Sequence, residues 1–476
     1  MISTLLIFPI IACVLVLMIK NKTFDMWIVN LYATIHLLFS FMLALGYGEK
    51  SFTPYFAVDG INALFLVVLS IVFLMVSIYN NGYIKTFDFS SDKISRYSFM
   101  ILIFVLSMTG TLLSTDLGLA WILVEATTLS SAYLIYFNKT KHSIEAAWKY
   151  VFICSIGIAL AFVGIILLNI STGAVNTLNF AELYNYASTF DNGWLKISFV
   201  FMLFGFGAKM GLAPGHFWLP DAHAEAPSPI SALLSAALLN SAFLVIVRVF
   251  KIVEIAGCDS YARFMLLLMG FISLFVTAVF VYHIKNYKRM LAYSSIENMG
   301  ILAIGTALGG VGYLAVILHL IGHSLAKASF FLTAGNVLEL YGTKRIKSVN
   351  GIINADGKTG WLWVASCLAI CAFPTSVLFI SEFLIVKILI THHHYLLCGL
   401  FVFLLTIILY GISRVVVKTA FGKVSDDKIK SITDNKAKLT LCMYAPQFIM
   451  LVLVFTLGIY VPPFLNEIIT SAIAGF

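Results

Sequence analysis

Apolar residues run along this chain in blocks of about twenty, the length a helix needs to cross the hydrocarbon core of a bilayer, and only short polar connections separate them. The blocks predict fourteen spanning helices, at approximately 2–18, 26–46, 58–81, 97–113, 117–137, 148–170, 194–213, 229–250, 262–283, 291–309, 312–337, 361–390, 396–417 and 440–463. No connection is long enough for a soluble domain. The expected fold class is an all-α integral membrane protein with about 14 transmembrane helices in a single polytopic domain over 1–476. The first block has no basic residue before it, and Lys20 and Lys22 follow it. That order is the reverse of a secretory signal, so the block is expected to stay as the first span.

Two blocks are interrupted. The segment PGHFWLPDAHAEAPSP (214–229) reads as a connection between spans seven and eight, with four prolines, two acids and two histidines. Span twelve is broken by Pro374 within CAFPTSVLFISEF. Broken helices at matching places in two halves point to an inverted-repeat transporter. The spacing fits two inverted five-helix repeats, spans 4–8 and 9–13, with helices 7 and 12 broken. The chain then divides into three N-terminal helices (1–96), a first repeat (97–250), a second repeat (262–417) and a last helix (440–463).

Composition agrees with this pattern. Hydrophobic residues make up 61% of the chain and charged ones 11%, against roughly 25% charged in a soluble domain, so most of the surface must face lipid. The formal charge of +8 suggests an anionic partner until its distribution is read. Loops after odd-numbered spans carry 20 Lys and Arg, and loops after even-numbered spans carry 3. The positive-inside rule accounts for that asymmetry without any nucleic acid, and places both termini on the outer, periplasmic side of the cell inner membrane. The seven cysteines lie mostly inside apolar blocks. Cys367 and Cys371 form a CxxxC within a helix, which suits packing better than ligation. No repeated CxxC set for an iron–sulfur or nickel centre is present, so no cofactor and no redox centre are expected.

Ionisable side chains at membrane depth cost about 2.5–3.5 kcal/mol each by insertion scales, which makes them functional candidates. The candidates are Glu125, Lys209, Glu297, His319, His323, Lys327 and Glu382. Arg248, Lys387 and Arg414 lie nearer span ends, where long side chains reach the interface. Glu125, in LGLAWILVEATTLSSAYLI, reads either as a protonated helix-contact residue or as the carboxylate partner of Lys209. Moving or neutralising that carboxylate would switch the lysine between holding and releasing a proton. His319, His323 and Lys327 recur every fourth residue and therefore share one stripe of a helix. The stripe suits a proton relay, because histidine changes charge near working pH. A metal-binding HxxxH pair and a hydrogen-bonded core histidine are the other readings. Glu297 takes the place of Glu125 in the second repeat, and Glu382 that of Lys209, so a lateral line of titratable groups is expected along the membrane midplane. Asp221, His223 and Glu225 resemble a metal site in composition. Capping and loop structure are the preferred reading, and no metal is expected.

Four segments carry a resemblance: GAKMGLAPGHFWLPDAHAEAPSPISALLSA (207–236), KRMLAYSSIENMGIL (288–302), HLIGHSLAKASFFLTAGNV (319–337) and PTSVLFISEFLI (374–385). They resemble the proton-translocating, antiporter-like subunits of complex I, Mrp sodium/proton antiporters and group 4 membrane-bound hydrogenases. LAYSSIENMG, GHSLAKASFFLTAGN, ISEF and Asn240 are most similar to the hydrogenase-4 component F branch. The resemblance implies a coupled Glu125–Lys209 pair, a central relay at His319, His323 and Lys327, and a terminal acid at Glu382. Asn240 stands where complex I subunits commonly have lysine, which removes one titratable step and calls for water in its place. Asn286 replaces a frequent aspartate in a loop. The sequence reaches Phe476 soon after the fourteenth span, without the long lateral helix of one family member.

The expected function is proton translocation within a redox-driven complex of the [NiFe] hydrogenase-4 or formate hydrogenlyase type, among other membrane subunits of that assembly. A complex I subunit and an Mrp-type subunit that moves protons or sodium remain alternatives. A quinone-reducing or hydrogen-evolving catalytic subunit is disfavoured by the absence of a cofactor-binding cysteine set.

Overall fold

The computed structural model describes every residue except 88, 174, 176, 424–431, 433 and 437; part of the basic connection after the thirteenth expected span therefore lies outside the described residues. The helices are α1 (Ile2–Ile19), α2 (Lys22–Ala44), α3 (Gly60–Tyr83), α4 (Ser91–Leu113), α5 (Leu117–Ile135), α6 (Lys141–Ser171), α7 (Phe180–Tyr186), α8 (Asn192–Met210), α9 (Trp218–Glu225), α10 (Ser228–Leu233), α11 (Leu239–Ile255), α12 (Asp259–Val281), α13 (Tyr287–Leu308), α14 (Val311–Tyr341), α15 (Ile352–Ala355), α16 (Gly357–Ile370), α17 (Val377–Thr391) and α18 (Tyr395–Ala420). Two more, Ala445–Leu457 and Pro463–Ile473, follow. A small antiparallel ribbon, β1 (Ser51–Thr53) with β2 (Phe56–Ala57), departs from the all-helical expectation in the connection between α2 and α3.

Short connections are possible because side chains close the helix starts. Asn21, Ser90, Asp116, Asp191, Asn286 and Asp356 each accept from a backbone N–H of the first turn, and Asp59 and Thr140 form reciprocal capping boxes. A cap of this kind satisfies donors that would otherwise be orphaned at a helix end. Asn286 thus serves a structural role in place of an aspartate.

Among the described residues, eleven helices are long and apolar enough to cross a membrane. The other three expected spans differ for physical reasons. The tenth, α13, is rich in polar residues and almost wholly enclosed. The twelfth is split into α16 and α17 around 371–376, where Ala372 and Thr375 have positive φ. The fourteenth is a helix of only 13 residues, Ala445–Leu457, about 20 Å long.

The proline-rich segment 214–229 is not the loop that its composition suggested. After a turn at Gly211, α9 resumes the seventh span, and α10 begins at Ser228. Pro220 sits in the first turn of α9 and Pro229 in that of α10, where no intrahelical N–H is required. Trp218, Leu219, Ala222 and Ala224 face the core, which holds this stretch inside the protein.

The helices of the two expected repeats pack in the same order. In the first, α4 meets α5, α5 meets α6, and α6 meets α8; in the second, α12 meets α13, α13 meets α14, and α14 meets both halves of the broken span. The long α14 is enclosed by α3, α10, α13, α16, α17 and residues 445–457. The outer faces carry exposed Leu129, Trp148, Phe152, Phe275 and Phe403, as expected of lipid-facing surface.

Close contact between α6 and α8 depends on glycine. A Cβ at Gly205 would lie 2.5 Å from the Gly157 carbonyl oxygen and 2.6 Å from the Ala161 nitrogen. Gly270 and Gly300 bring α12 and α13 together in the same manner. Small residues let helices approach in lipid, where association rests on close packing rather than on escape from water. Gly205→Val should lower the stability of the detergent-solubilised protein by about 1–3 kcal/mol, read by thermal unfolding. Gly399→Ala, whose added methyl meets nothing within 4 Å, should change it by less than about 1 kcal/mol. Equal effects would contradict the packing argument.

Candidate functional site

The seam between α6 and α8 delivers Lys209 to the interior, one residue before α8 ends at Met210. The side chain is fully enclosed. Its Nζ donates to Thr128 Oγ1 at 2.9 Å and to Tyr150 Oη at 2.6 Å, and it lies 4.7 Å from the centre of the Tyr150 ring. Glu125 makes no ion pair with it. Instead Thr128 Oγ1, one turn along α5, donates to Glu125 Oε2 at 3.0 Å, while Ser155 donates to Oε1 at 2.8 Å. The expected pair is therefore bridged by a hydroxyl that accepts from the lysine and donates to the carboxylate. Tyr150 Oη is also 2.6 Å from Ser131 Oγ. Glu125 is only half-buried, on the α5 face that also carries the exposed Ile122 and Leu129.

His319, His323 and Lys327 share the enclosed stripe of α14 but use different partners. Asn298 fixes its amide nitrogen on the Ser294 carbonyl at 2.6 Å and turns Oδ1 toward His319 Nε2 at 3.0 Å. This assigns the hydrogen of His319 to Nε2 and leaves Nδ1 basic, 2.8 Å from the Ser381 hydroxyl. His323 Nε2 lies 3.4 Å from the Ser235 carbonyl, which can only accept, so that ring carries its hydrogen on Nε2 as well. Among the described residues its Nδ1 has no partner. Lys327 Nζ donates to the Leu291 carbonyl at 2.8 Å. Ser235 belongs to a π-turn over Leu234–Leu238 that joins α10 to α11. Such turns disturb the regular ladder and recur at functional sites.

Asn240, on α11, donates to Ser324 Oγ at 2.8 Å, next to His323 in sequence, while its Oδ1 is buried with no partner among the described residues. Glu297 accepts from Ser294 at 3.2 Å. Glu297 and Glu382 line one cleft of about 280 Å³ together with Cys371, Phe379 and Phe383. Glu382 lies in the second turn of α17, after its break, whereas Lys209 precedes its own, so the two occupy equivalent helices but opposite sides of the interruption. The structure thus gathers all seven candidates into two groups, Glu125–Lys209 and the α13–α14–α17 cluster, and Asn240 joins the second through Ser324.

Asp221, His223 and Glu225 do not act as caps or as a cluster of ligands. Asp221 pairs with Arg289 at 2.9 Å and Lys149 at 3.2 Å, and Glu225 with Lys344 at 3.1 Å. His223 is fully enclosed, with neither ring nitrogen hydrogen-bonded to protein. Among the described residues no group of three or more His, Cys, Asp and Glu is disposed to hold a metal ion. Cys367 and Cys371 have their sulfurs 3.9 Å apart as free thiols.

The family described as NADH:quinone oxidoreductase/Mrp antiporter, TM matches residues 114–408, which include every one of these groups. The chain belongs to this antiporter-like family of membrane subunits. It is 32% identical to a hydrogenase-4 component F homolog of Methylacidiphilum infernorum, over 97% of this chain and 96% of that one. It is 25% identical to a Na(+)/H(+) antiporter subunit of Bacillus subtilis, over 89% and 85%. A chain of the archaeal membrane-bound sulfane sulfur reductase shares the fold with a TM-score of 0.88 at 23% identity, covering 99% of this chain and 97% of that one. A chain of the Mrp complex from Dietzia sp. does so with a TM-score of 0.86 at 18% identity, covering 100% and 97%. Both structural relatives are parts of multi-subunit membrane complexes. The chain is a multi-pass, antiporter-like, proton-translocating subunit of the complex I, Mrp and group 4 hydrogenase family.

Sequence reasoning missed Thr128, Tyr150, Ser155, Asn298 and Ser381. Hydroxyls and amides in apolar helices carry a weak signal, because Ser and Thr also bond to their own helix backbone. For this antiporter-like protein, Thr128→Val removes an acceptor from Lys209 and a donor from Glu125. The expected result is a loss of about 1–3 kcal/mol in stability, measured by thermal unfolding, with Thr128→Ser restoring most of it. A neutral Thr128→Val would mean that the bridge does not form.

Proposed function

We propose that this protein carries protons for a redox-driven membrane complex of the [NiFe] hydrogenase-4 or formate hydrogenlyase type. The observation that carries the reading is the hydroxyl-bridged Glu125–Thr128–Lys209 unit, together with the enclosed histidine–lysine stripe of α14. The near full-length likeness to a hydrogenase-4 component F homolog favours the hydrogenase setting. In this reading the three N-terminal helices (1–96) and the last helix (440–463) flank two repeats, 97–250 and 262–417. The basic loops face the cytoplasm, and both termini lie outside the inner membrane.

The mechanism follows from the contacts. A charge change at the edge of the protein alters the Glu125 carboxylate, and Thr128 passes the change to Lys209, which releases or retains its proton. Water at the unpartnered Asn240 Oδ1 takes the place of a titratable side chain on the way to His323, whose basic Nδ1 is free to receive the proton. His319 and Lys327 continue the line, and the Glu297–Glu382 cleft is its far end. An Mrp-type reading rests on the likeness to the Bacillus subtilis Na(+)/H(+) antiporter protein. Complex I is the third setting for the same task.

Purification of the tagged protein from native membranes separates these settings. Hydrogenase large and small subunits should accompany it; NADH-oxidising flavoproteins would assign it to complex I, and small hydrophobic proteins alone to an antiporter. Lys209→Ala should reduce redox-coupled proton uptake into inverted vesicles at least about tenfold, while electron transfer by the complex continues in part. Unchanged proton movement in that variant would refute the mechanism.

A further inference from the structure

A wide apolar groove outside the relay runs between α16 and residues 445–457. Its volume is about 930 Å³, and Trp361, Leu362, Phe448, Val452 and Phe455 are among the residues along its walls. One wall is the first half of the broken twelfth span, 14 residues, and the other is the short last span, 13 residues, about 20 Å long against a hydrocarbon core of about 30 Å. The trough between them is filled by no described side chain and is lined almost wholly by apolar groups, which suits acyl chains. From Ala445 to Thr456 the groove follows about 17 Å of helix, a length that suits an extended acyl chain.

One end of the trough is chemically distinct. Lys358 lines it, exposed, with its Nζ 5.4 Å from the centre of the Tyr444 ring. The adjacent acid does not neutralise it: Asp356 is occupied by Thr359, by Tyr444 Oη at 3.0 Å and by Lys436 at 3.5 Å. Among the described residues Lys358 has no ion-pair partner. Trp361, one turn on, and Tyr444 are the residue types that settle at headgroup level. A free cation above two interfacial aromatics and an apolar trough is complementary to one class of molecule.

We propose that this groove is a binding site for an anionic phospholipid, with its phosphate at Lys358 and one acyl chain lying between α16 and residues 445–457. The occupant locks the short last span to the second repeat, whose α14 also packs against that span. The site depends only on the chain spanning a bilayer, and not on which complex the protein serves.

The test uses the intact complex containing the full chain, reconstituted in phosphatidylcholine nanodiscs. Brominated phosphatidylglycerol or brominated phosphatidylcholine is titrated in, and the Trp361 contribution to fluorescence is isolated by comparison with Trp361→Phe. Quenching of Trp361 should reach its midpoint at about fivefold lower mole fraction of the anionic lipid, the selectivity expected of one basic residue near a membrane surface. Lys358→Ala should abolish the preference, Lys358→Arg should restore it, and Lys347→Ala, on an exposed residue outside the groove, should leave it intact. Equal quenching by the two lipids would reduce the groove to bulk lipid contact and overturn the proposal. A preference that survives in Lys358→Ala would overturn the assignment of the headgroup. Absence of quenching by either lipid would show that another protein of the complex covers the groove, which also overturns it.

Discussion

Hydrocarbon offers no hydrogen bonds, so the polar groups that this chain takes to membrane depth have to be met by protein or by enclosed water. The helices satisfy their own backbones, and capping side chains satisfy their ends. Lys209 is one such group, a fully enclosed amine at the end of α8. It is held by the hydroxyls of Thr128 and Tyr150. Those two residues come from α5 and α6, and the approach of α6 to α8 depends on the absence of side chains at Gly157 and Gly205. Glycine packing, helix crossing and the placement of a buried charge are thus one constraint seen at three scales.

A hydroxyl between carboxylate and amine has a consequence for chemistry. Two opposite charges in direct contact at low dielectric attract so strongly that neither changes state easily. With Thr128 between them, Glu125 and Lys209 sense each other through a group that both donates and accepts. A proton-handling site benefits from that intermediate coupling. The α14 stripe follows the same principle, since His319, His323 and Lys327 each hold a neutral partner rather than a carboxylate.

Breaks in the seventh and twelfth spans belong to this arrangement. Backbone released from a regular helix is tolerated at membrane depth only where protein surrounds it or where it lines a cavity. The first break is closed by α9, whose buried Trp218 donates to the Ala208 carbonyl at 2.8 Å. The second lies beside the Glu297–Glu382 cleft, which Ala372 also lines. Both interruptions therefore adjoin ionisable groups.

The sequence by itself determined that the chain spans a membrane repeatedly, roughly where each span lies, and which charged residues are out of place in lipid. Those properties follow from run length and from the cost of burying a charge, both of which are local. It also marked the two breaks through Pro214 and Pro374, although prolines in the first turns of α9 and α10 made helix look like loop. Only the tertiary structure decided which groups meet: that Thr128 stands between Glu125 and Lys209, that Asn298 sets the hydrogen of His319, and that Glu297 and Glu382 share a cleft. These contacts join residues up to 85 positions apart in sequence, and they depend on helix crossings set by small residues. A pattern along one helix carries no record of the neighbour that its side chains will face.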